Sequence, residues 1–309
     1  MKKRHHVQLR YGILHGVWSC SRVTANTEIC THCYLKHNFR LAHNSTGTLF
    51  EYFTDIVLHV PNAAFRLRNM STFLLVHGAW HGGWCWEKIA SLLVAKGHKV
   101  IAPDLPGHGD DNTSTATVTL ESYADRICTI ASTQKEAVVL AGHSMGGVVI
   151  TQAAEKCPEH VAALVYICAF LPRNGESLMT WALQDRESMV NPKTTEPRSE
   201  GVVGFRREHA REAFYLQCSD EEVALALSRL VDQSTAPFGT PVVTTAERWG
   251  RIPRYYIECE QDRAITLGLQ QEMQRHSPCR KTFSINTDHS PFLSAPDELA
   301  NALAEIACH

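Results

Sequence analysis

Short apolar runs alternate with segments of helical periodicity from Ser71 to the end of the chain, and this alternation constrains the fold more than any other feature. Runs that are apolar throughout are typical of strands with both faces covered. Strands that alternate with helices predict a mostly parallel sheet with helices on both sides. We therefore expect a doubly wound α/β fold, with functional residues at the carboxyl ends of the strands. The predicted strands are 72–77, 98–102, 137–142, 161–169, 252–259 and 281–285, and the predicted helices are 86–95, 120–132, 145–156, 267–275 and 296–308.

The stretch 171–247 breaks this alternation and contains several prolines. A structureless loop of that length is uncommon in a compact domain, since loops beyond about 15 residues are rare. We predict an inserted, largely helical cap, whose clearest helix covers 220–230 behind Ser219 as the N-cap. A cap over the carboxyl end of the sheet would wall a substrate pocket, and its bulky residues include Trp181, Phe214 and Phe238.

The first part of the chain differs in composition from the rest. Residues 1–69 carry nine Lys or Arg against three Asp or Glu and show no sustained period. We place the domain boundary at Ser71, so that 1–70 is a disordered or weakly packed extension and 71–309 is the folded domain. We expect this extension to be dispensable.

Two functional interpretations of the extension are weaker. Its basic start precedes an apolar stretch at 11–18, as in an export signal, but that stretch is short and is broken by His15. Cys30 and Cys33 have the spacing of zinc ligands, with Cys20 and His37 nearby, but a second well-spaced pair is missing. We therefore predict no metal site.

The charge balance indicates the kind of partner. Thirty Lys and Arg against 32 Asp and Glu give a net charge of −2, which provides no basic field for nucleic acid or an anionic membrane. No apolar run reaches the roughly 18 residues of a transmembrane helix. The partner is expected to be a small molecule. Several of the eleven cysteines lie within apolar runs, as Cys168 does, and so many unpaired thiols favour a reducing, cytoplasmic location.

The sequence Gly142-His-Ser-Met-Gly146 matches G-x-S-x-G. A predicted strand precedes it and a predicted helix follows, so Ser144 lies on the sharp turn between them. The small flanking residues permit a strained turn with an exposed hydroxyl, as a serine nucleophile requires. We therefore predict that Ser144 is a nucleophile.

A serine nucleophile needs a base and an orienting acid. In this type of fold the chain order is Ser, acid, His. His289 follows the last predicted strand and is the candidate base, and Asp262 follows the preceding strand and is the candidate acid. Asp262 would fix the tautomer of the imidazole and stabilise its charged form. Glu258, Glu260 and Asp288 are competing acids.

The oxyanion of an acyl-transfer intermediate needs backbone donors. Met145, which opens the helix after Ser144, is one candidate, and Ala79 in the glycine-containing loop after the first strand is the other. Trp80 and His81 are expected at the pocket mouth, and His143 on the pocket wall or in the turn.

These motifs resemble the α/β-hydrolase superfamily. Segments 73–86, 142–147 and 256–262 are most similar to plant methylesterases and hydroxynitrile lyases and to bacterial carboxylesterases that include pyrethroid hydrolases. Within the cap, 214–220 resembles the plant group and 233–241 the pyrethroid hydrolases. The resemblance covers 71–309. It implies Ser144, Asp262 and His289 as a catalytic triad, the amides of Ala79 and Met145 as the oxyanion hole, and no cofactor.

Two departures narrow the activity. Hydroxynitrile lyases of this type have Lys after the catalytic His and a hydroxyl residue in the first oxyanion loop, whereas here Ser290 follows His289 and Gly78-Ala79 has no hydroxyl. Haloalkane dehalogenases have Asp where this chain has Ser144. We predict a serine carboxylesterase that hydrolyses hydrophobic esters, including pyrethroid-type or aryl esters. A lactonase, a hydroxynitrile lyase-like enzyme and a non-catalytic ligand receptor are the alternatives. The oligomeric state stays open, with a homodimer as one option.

Overall fold

The computed structural model describes residues 41–43, 49–51 and 70–308. The chain divides into two units, Met1–Ala63 and Ala64–His309. In the first unit, strand β1 (Leu41–His43) pairs antiparallel with β2 (Leu49–Glu51). Strands of three residues are too short to produce a detectable period, so the sequence does not predict this pair. The candidate export segment and the Cys20, Cys30, Cys33 and His37 group lie outside the described residues.

The second unit contains a six-stranded parallel sheet and a smaller three-stranded sheet. Its strands are β3 (Thr72–Val76), β4 (Lys99–Ile101), β5 (Val138–His143), β6 (Val161–Ile167), β7 (Thr195–Ser199), β8 (Val202–Phe205), β9 (Gln233–Ser234), β10 (Arg254–Cys259) and β11 (Lys281–Ile285). The large sheet has the order β11-β10-β6-β5-β3-β4. The predicted α/β fold is confirmed, and each predicted strand of this sheet ends within two residues of the observed strand.

In the described part of the chain, ten α-helices follow these strands or build the cap. They are α1 (Glu87–Ala95), α2 (Leu120–Ser132), α3 (Gly146–Lys156), α4 (Leu178–Ala182), α5 (Arg207–Phe214), α6 (Asp220–Arg229), α7 (Ala236–Gly239), α8 (Leu267–His276), α9 (Pro291–Ser294) and α10 (Pro296–Ile306). Short 3₁₀ turns occupy Gly83–Trp86, Thr115–Thr117, Pro158–His160 and Trp249–Arg251. No helix among the described residues is long and apolar enough to cross a membrane.

Both faces of the large sheet are buried along its inner strands β3, β5, β6 and β10. Along β3, Leu74 and Val76 contact one apolar layer, and Phe73 and Leu75 contact the other. Helices α2, α3 and α8 contribute to the first layer, and α1 and α10 to the second. Because successive side chains of a strand point to opposite faces, a strand covered on both sides is apolar at every position. This burial explains the continuous apolar runs in the sequence.

The cap at 171–247 is less helical than the sequence predicts. It contains α4–α7 and also the antiparallel sheet β7-β8-β9. Strand β7 has the polar sequence Thr-Glu-Pro-Arg-Ser, which provides no apolar alternation from which a strand could be recognised. The expected helix is present as α6, and the side chain of Ser219 caps it by accepting a hydrogen bond from the amide of Glu222.

The cysteines differ from expectation at one place. Cys85, Cys168, Cys218, Cys259 and Cys279 are free thiols, whereas Cys128 in α2 and Cys157 after α3 form a disulfide. Their pairing depends on the packing of two helices, which sequence spacing does not reveal. The cysteine content therefore no longer indicates a reducing compartment, and the cytoplasmic location stays a prediction.

Candidate active site

Ser144 lies on a strained turn between β5 and α3. Its φ of 54° is in the left-handed region that non-glycine residues seldom adopt. The amide of Ser144 donates to the carbonyl of Ile167 at 3.3 Å, and its carbonyl accepts from the amides of Gly147 at 3.0 Å and Phe170 at 3.2 Å. Neighbouring backbone thus holds Ser144 in this conformation.

Glycines make this close turn possible. A Cβ atom at Gly142 would lie 2.5 Å from the carbonyl oxygen of Gly146, and one at Gly146 would lie 2.7 Å from that of Val76. These contacts are shorter than carbon and oxygen tolerate, so larger residues would displace the turn. The spacing of the motif therefore reflects steric requirements on both sides of Ser144.

His289 is paired with Asp262 in a buried site. The distance from His289 Nδ1 to Asp262 Oδ2 is 2.7 Å. The other carboxylate oxygen of Asp262 accepts from the amides of Ala264 at 2.7 Å and Ile265 at 2.9 Å. Because Nδ1 donates its proton to the carboxylate, Nε2 of His289 is left as an acceptor. This is the tautomer that a general base requires.

The competing acids have other partners. Glu258 accepts hydrogen bonds from Gln274 at 2.7 Å and Ser284 at 3.0 Å. Glu260 is exposed. Asp288 accepts from the amides of Gln217 at 2.7 Å and Ser290 at 3.0 Å. The structure therefore pairs His289 with Asp262 and with none of the three.

The two candidate oxyanion donors flank Ser144. Ala79 and Met145 line the same cavity as Ser144 and His289. Gly78 passes so close that an added Cβ would lie 2.9 Å from the Cβ of Ser144. No side chain caps the N-terminus of α3. The first amides of a helix have no acceptor within it and carry a partial positive charge, which favours an anion at this point.

The cavity beside Ser144 has a volume of about 710 Å³. Residues 178–193 of the cap form part of its wall, and its surface is mainly apolar. Six of its apolar lining residues are Trp80, Phe170, Leu178, Met179, Phe214 and Phe238. Its size and lining are typical of small-molecule sites.

Three predicted pocket residues line this cavity and three do not. Trp80, Phe214 and Phe238 are on the wall as expected. His81 lies behind it, where Nδ1 contacts the carbonyl of Ala79 at 2.8 Å and Nε2 contacts the hydroxyl of Tyr215 at 2.7 Å. The prediction for His81 was wrong, because its distance along the chain from Ala79 does not reveal the direction of its side chain.

His143 and Trp181 are also buried away from the cavity. His143 Nε2 lies 2.7 Å from the carbonyl oxygen of His289, beneath the turn. Trp181 donates its indole proton to Glu176 at 2.9 Å and packs against His276. His143 therefore belongs to the turn and not to the pocket wall, and Trp181 lies on the side of α4 that faces away from the cavity.

Burial keeps the neighbouring histidines neutral. It lowers the pKa of His81 to about 4, with a smaller contribution from the nearby His289 imidazole. It holds the pKa values of His143 and His77 well below the usual range for histidine. At neutral pH these imidazoles act as hydrogen-bonding groups without charge.

Two kinds of site residue were missed. Phe170 follows the carboxyl end of β6, and this position alone was a usable signal. The cap residues Leu178 and Met179 had no such signal, because they lie on a five-residue helix whose direction depends on tertiary packing.

One cluster in the described part of the chain has metal-ligand chemistry. It consists of His143, Cys168 and His289, whose candidate atoms lie within 4.8 Å of one another. His289 already uses Nδ1 for Asp262, and His143 Nε2 and Cys168 Sγ contact the carbonyl oxygen of His289. Each of the three side chains therefore already makes a hydrogen bond at one of its polar atoms.

Comparison with known proteins identifies the family. A family model described as the alpha/beta hydrolase family matches residues 73–302. Pyrethroid hydrolase from Sphingobium wenxiniae is 34% identical over 248 residues, which cover 77% of this chain and 88% of that protein. Methylesterase 7 from Arabidopsis thaliana is 32% identical over 256 residues, covering 77% and 97% respectively.

A solved structure gives the same result. The crystal structure of a pyrethroid hydrolase from Sphingobium faniae superposes with a TM-score of 0.71 at 32% identity and covers 77% of this chain and 98% of that one. The chain therefore belongs to the α/β-hydrolase family.

Proposed function

We propose that this chain, a carboxylic ester hydrolase by its family and its named relatives, is a serine carboxylesterase that acts on hydrophobic esters through an acyl-enzyme. The observation that carries the proposal is the strained Ser144 turn in one cavity with the His289–Asp262 pair. A nucleophile, a base and an orienting acid are together the set that acyl transfer needs.

The first half-reaction acylates Ser144. Its Oγ attacks the ester carbonyl carbon while Nε2 of His289 takes the hydroxyl proton. The carbonyl electrons move onto oxygen, and the amides of Ala79 and Met145 stabilise this oxyanion. The tetrahedral intermediate collapses, the carbon–oxygen bond to the alcohol breaks, and His289 returns the proton to the leaving alcohol.

The second half-reaction releases the acid. His289 removes a proton from a water molecule, whose oxygen attacks the acyl carbon. The oxyanion forms at the same two amides, and Ser144 leaves with the proton from His289. Asp262 stabilises the imidazolium in both halves through its hydrogen bond to Nδ1.

The cavity supports hydrophobic esters as the substrate class. Its aromatic wall of Trp80, Phe214 and Phe238 offers apolar contact to a substrate body. A volume of about 710 Å³ accommodates a small aryl or branched acyl group together with its alcohol. The names of the relatives, pyrethroid hydrolase and methylesterase, indicate esters of this kind as first substrates.

A substrate panel tests the proposal. Wild type, Ser144→Ala and the surface control Ser132→Ala are assayed on p-nitrophenyl acetate, butyrate and octanoate, a pyrethroid and a γ-lactone. We expect the wild type and control to hydrolyse the open-chain esters, and Ser144→Ala to lose at least about 1,000-fold in kcat/KM. Equal activity in Ser144→Ala, or no ester turnover by folded wild type, would contradict the proposal. A preference for the lactone would replace esterase by lactonase.

A further inference from the structure

The residue after the first oxyanion donor has an unusual backbone conformation. Trp80 has a φ of 62°, one of three positive values among the non-glycine residues that the structure describes. Such a conformation costs about 1–3 kcal/mol and persists only where surrounding contacts enforce it. The contacts that hold Trp80 in this conformation therefore also restrict the position of the preceding residue, Ala79.

All three polar groups of Trp80 are bonded to the cap. Its amide donates to Gln233 Oε1 at 3.4 Å, and its carbonyl accepts from the amide of Val231 at 3.0 Å. Its indole Nε1 donates to the carbonyl of Val203 at 3.1 Å. Val203 is in β8, and Gln233 is in β9. The cap sheet thus fixes both the backbone and the side chain of Trp80.

Hydrogen bonds hold both of the peptide planes that flank Ala79. The carbonyl of Gly78, which shares a plane with the amide of Ala79, lies 2.8 Å from His77 Nδ1. His77 Nε2 accepts from the amide of Leu105 at 3.0 Å, so Nδ1 carries the proton that is donated. The next plane is held at its carbonyl by His81 and at its amide by Gln233.

Gln233 is itself fixed from several directions. It is fully buried, and its Oε1 also lies 2.9 Å from Nε2 of His108. Its amide nitrogen donates to the hydroxyl of Tyr123 at 3.2 Å and to the carbonyl of Ser234 at 2.8 Å. His108 and Tyr123 belong to the α/β core, so one cap side chain connects the core to the oxyanion loop.

We propose that Gln233 is a positioning residue, which holds Trp80 in its strained conformation and thereby aims the amide of Ala79 at the developing oxyanion. This role rests on the proposed function. The amide of Ala79 interacts more strongly with the oxyanion of the transition state than with the carbonyl oxygen of the bound ester. Loss of Gln233 should therefore reduce kcat and leave KM nearly unchanged.

The test uses full-length protein with Gln233→Met, which keeps the size of the side chain but removes its four hydrogen bonds. Gln233→Glu keeps the acceptor for Trp80, and Gln233→Asn retracts the amide by one methylene. The matched control is Ser234→Ala, which removes a buried hydrogen bond from the same strand to Val118 without touching the oxyanion loop. Thermal unfolding of each variant accompanies the kinetics.

Two inhibitors separate positioning from general damage. A trifluoromethyl ketone forms a hemiketal with Ser144, in which the Ser144 Oγ–carbon bond forms, the serine proton goes to His289 and the carbonyl oxygen becomes an oxyanion. The unfluorinated ketone of the same shape binds largely without this reaction. If the amide of Ala79 is no longer correctly oriented, binding of the trifluoromethyl ketone should weaken, whereas binding of the unfluorinated ketone should stay nearly unchanged.

For Gln233→Met we expect kcat to fall about 10- to 100-fold, with KM within about threefold of wild type. The affinity for the trifluoromethyl ketone should fall by a similar factor. Gln233→Glu should recover part of this loss, and Ser234→Ala should match wild type. If Gln233→Met does not fold, Gln233→Asn is expected to show the same selective loss.

Several outcomes would overturn the inference. These are a kcat of folded Gln233→Met within twofold of wild type, equal weakening of both ketones, or the same kcat loss in Ser234→Ala. In each of these cases the proposed esterase function would still stand, provided that the wild type hydrolyses esters. Absence of ester hydrolysis by wild type would overturn both.

Discussion

Asp262 illustrates how single hydrogen bonds define the chemistry of the site. Its carboxylate accepts from His289 and from the amides of Ala264 and Ile265. Three donors around one carboxylate restrict its rotation. The His289 ring is therefore held in one orientation and one tautomer, with Nε2 available toward the cavity that Ser144 lines.

Asp262→Asn should abolish most of the activity while preserving the fold. The amide side chain can donate to His289 Nδ1, which would favour the wrong tautomer and leave Nε2 protonated. We expect kcat to fall by about 10³- to 10⁴-fold. Steady-state kinetics on a p-nitrophenyl ester measure this loss. Glu260→Gln is the control, because Glu260 is exposed at the end of the same strand. Similar losses in both variants would refute the assignment of Asp262.

At the level of elements, the cap is hydrogen-bonded to three loops that carry the site. It holds the oxyanion loop through Trp80, as described above. It contacts the Asp262 loop through the hydroxyl of Ser188, which donates to the carbonyl of Ala264 at 2.7 Å. It contacts the His289 loop through the amide of Gln217, which donates to Asp288 at 2.7 Å. The cap is thus part of the scaffold of the site as well as a wall of its cavity.

The disulfide joins the helix that follows Ser144 to its neighbour. Cys128 and Cys157 are separated by 29 residues, and closing a loop of this size raises the free energy of the unfolded chain by about 3.6 kcal/mol. We expect reductant to lower the urea midpoint of the wild type accordingly. Cys128→Ser should start from the lower midpoint and not respond to reductant. A wild-type midpoint that is the same with and without reductant would contradict the prediction.

The site residues that directly follow strands of the large sheet could be predicted from the sequence. Ser144, Asp262 and His289 each follow an apolar run, and the carboxyl ends of parallel strands meet at one edge of the sheet. The cap could not be predicted to the same degree. Strand β7 is polar, and the direction of side chains such as Trp181 depends on how the cap packs. The orientation of His81 depends on its tertiary hydrogen bond to Tyr215, which spacing does not encode.

At the scale of the whole molecule, neutral buried histidines link stability to pH. Burial lowers the pKa values of His77, His81, His108 and His143. In the unfolded chain each imidazole takes up a proton near its ordinary pKa of about 6.5, whereas the folded state resists it. The stabilising contribution is therefore complete above that pH and is lost as the pH falls, down to about 4 for His81.

Between pH 7.5 and 5.5 we expect protonation linked to His81 to lower the free energy of unfolding by about 1 kcal/mol, and the other three histidines to lower it in the same direction. Urea titrations at three pH values measure how steeply the free energy of unfolding changes with pH. His81→Gln keeps a donor for Ala79 and an acceptor for Tyr215 but does not titrate, so its stability should depend less on pH. An unchanged slope in this variant would show that His81 does not contribute.

The folded domain should be independent of the extension. Among the described residues, the apolar layers on both sides of the large sheet are built from side chains between Phe73 and Ile306. We predict that a chain beginning at Met70 folds and keeps kcat/KM within about threefold of the full chain, as an autonomous domain would. Circular dichroism and ester kinetics measure this. Aggregation or loss of activity in the truncated chain would show that residues 1–69 are required.

Covalent labelling with diethyl p-nitrophenyl phosphate identifies the nucleophile directly. The oxygen of a nucleophilic serine bonds to phosphorus and p-nitrophenolate leaves, so the adduct marks the nucleophile without depending on deacylation. We predict one equivalent of p-nitrophenolate, one diethylphosphoryl group on the peptide that contains Ser144, and complete loss of esterase activity. Ser144→Ala should release none. An adduct on another residue, or full labelling of Ser144→Ala, would contradict the account.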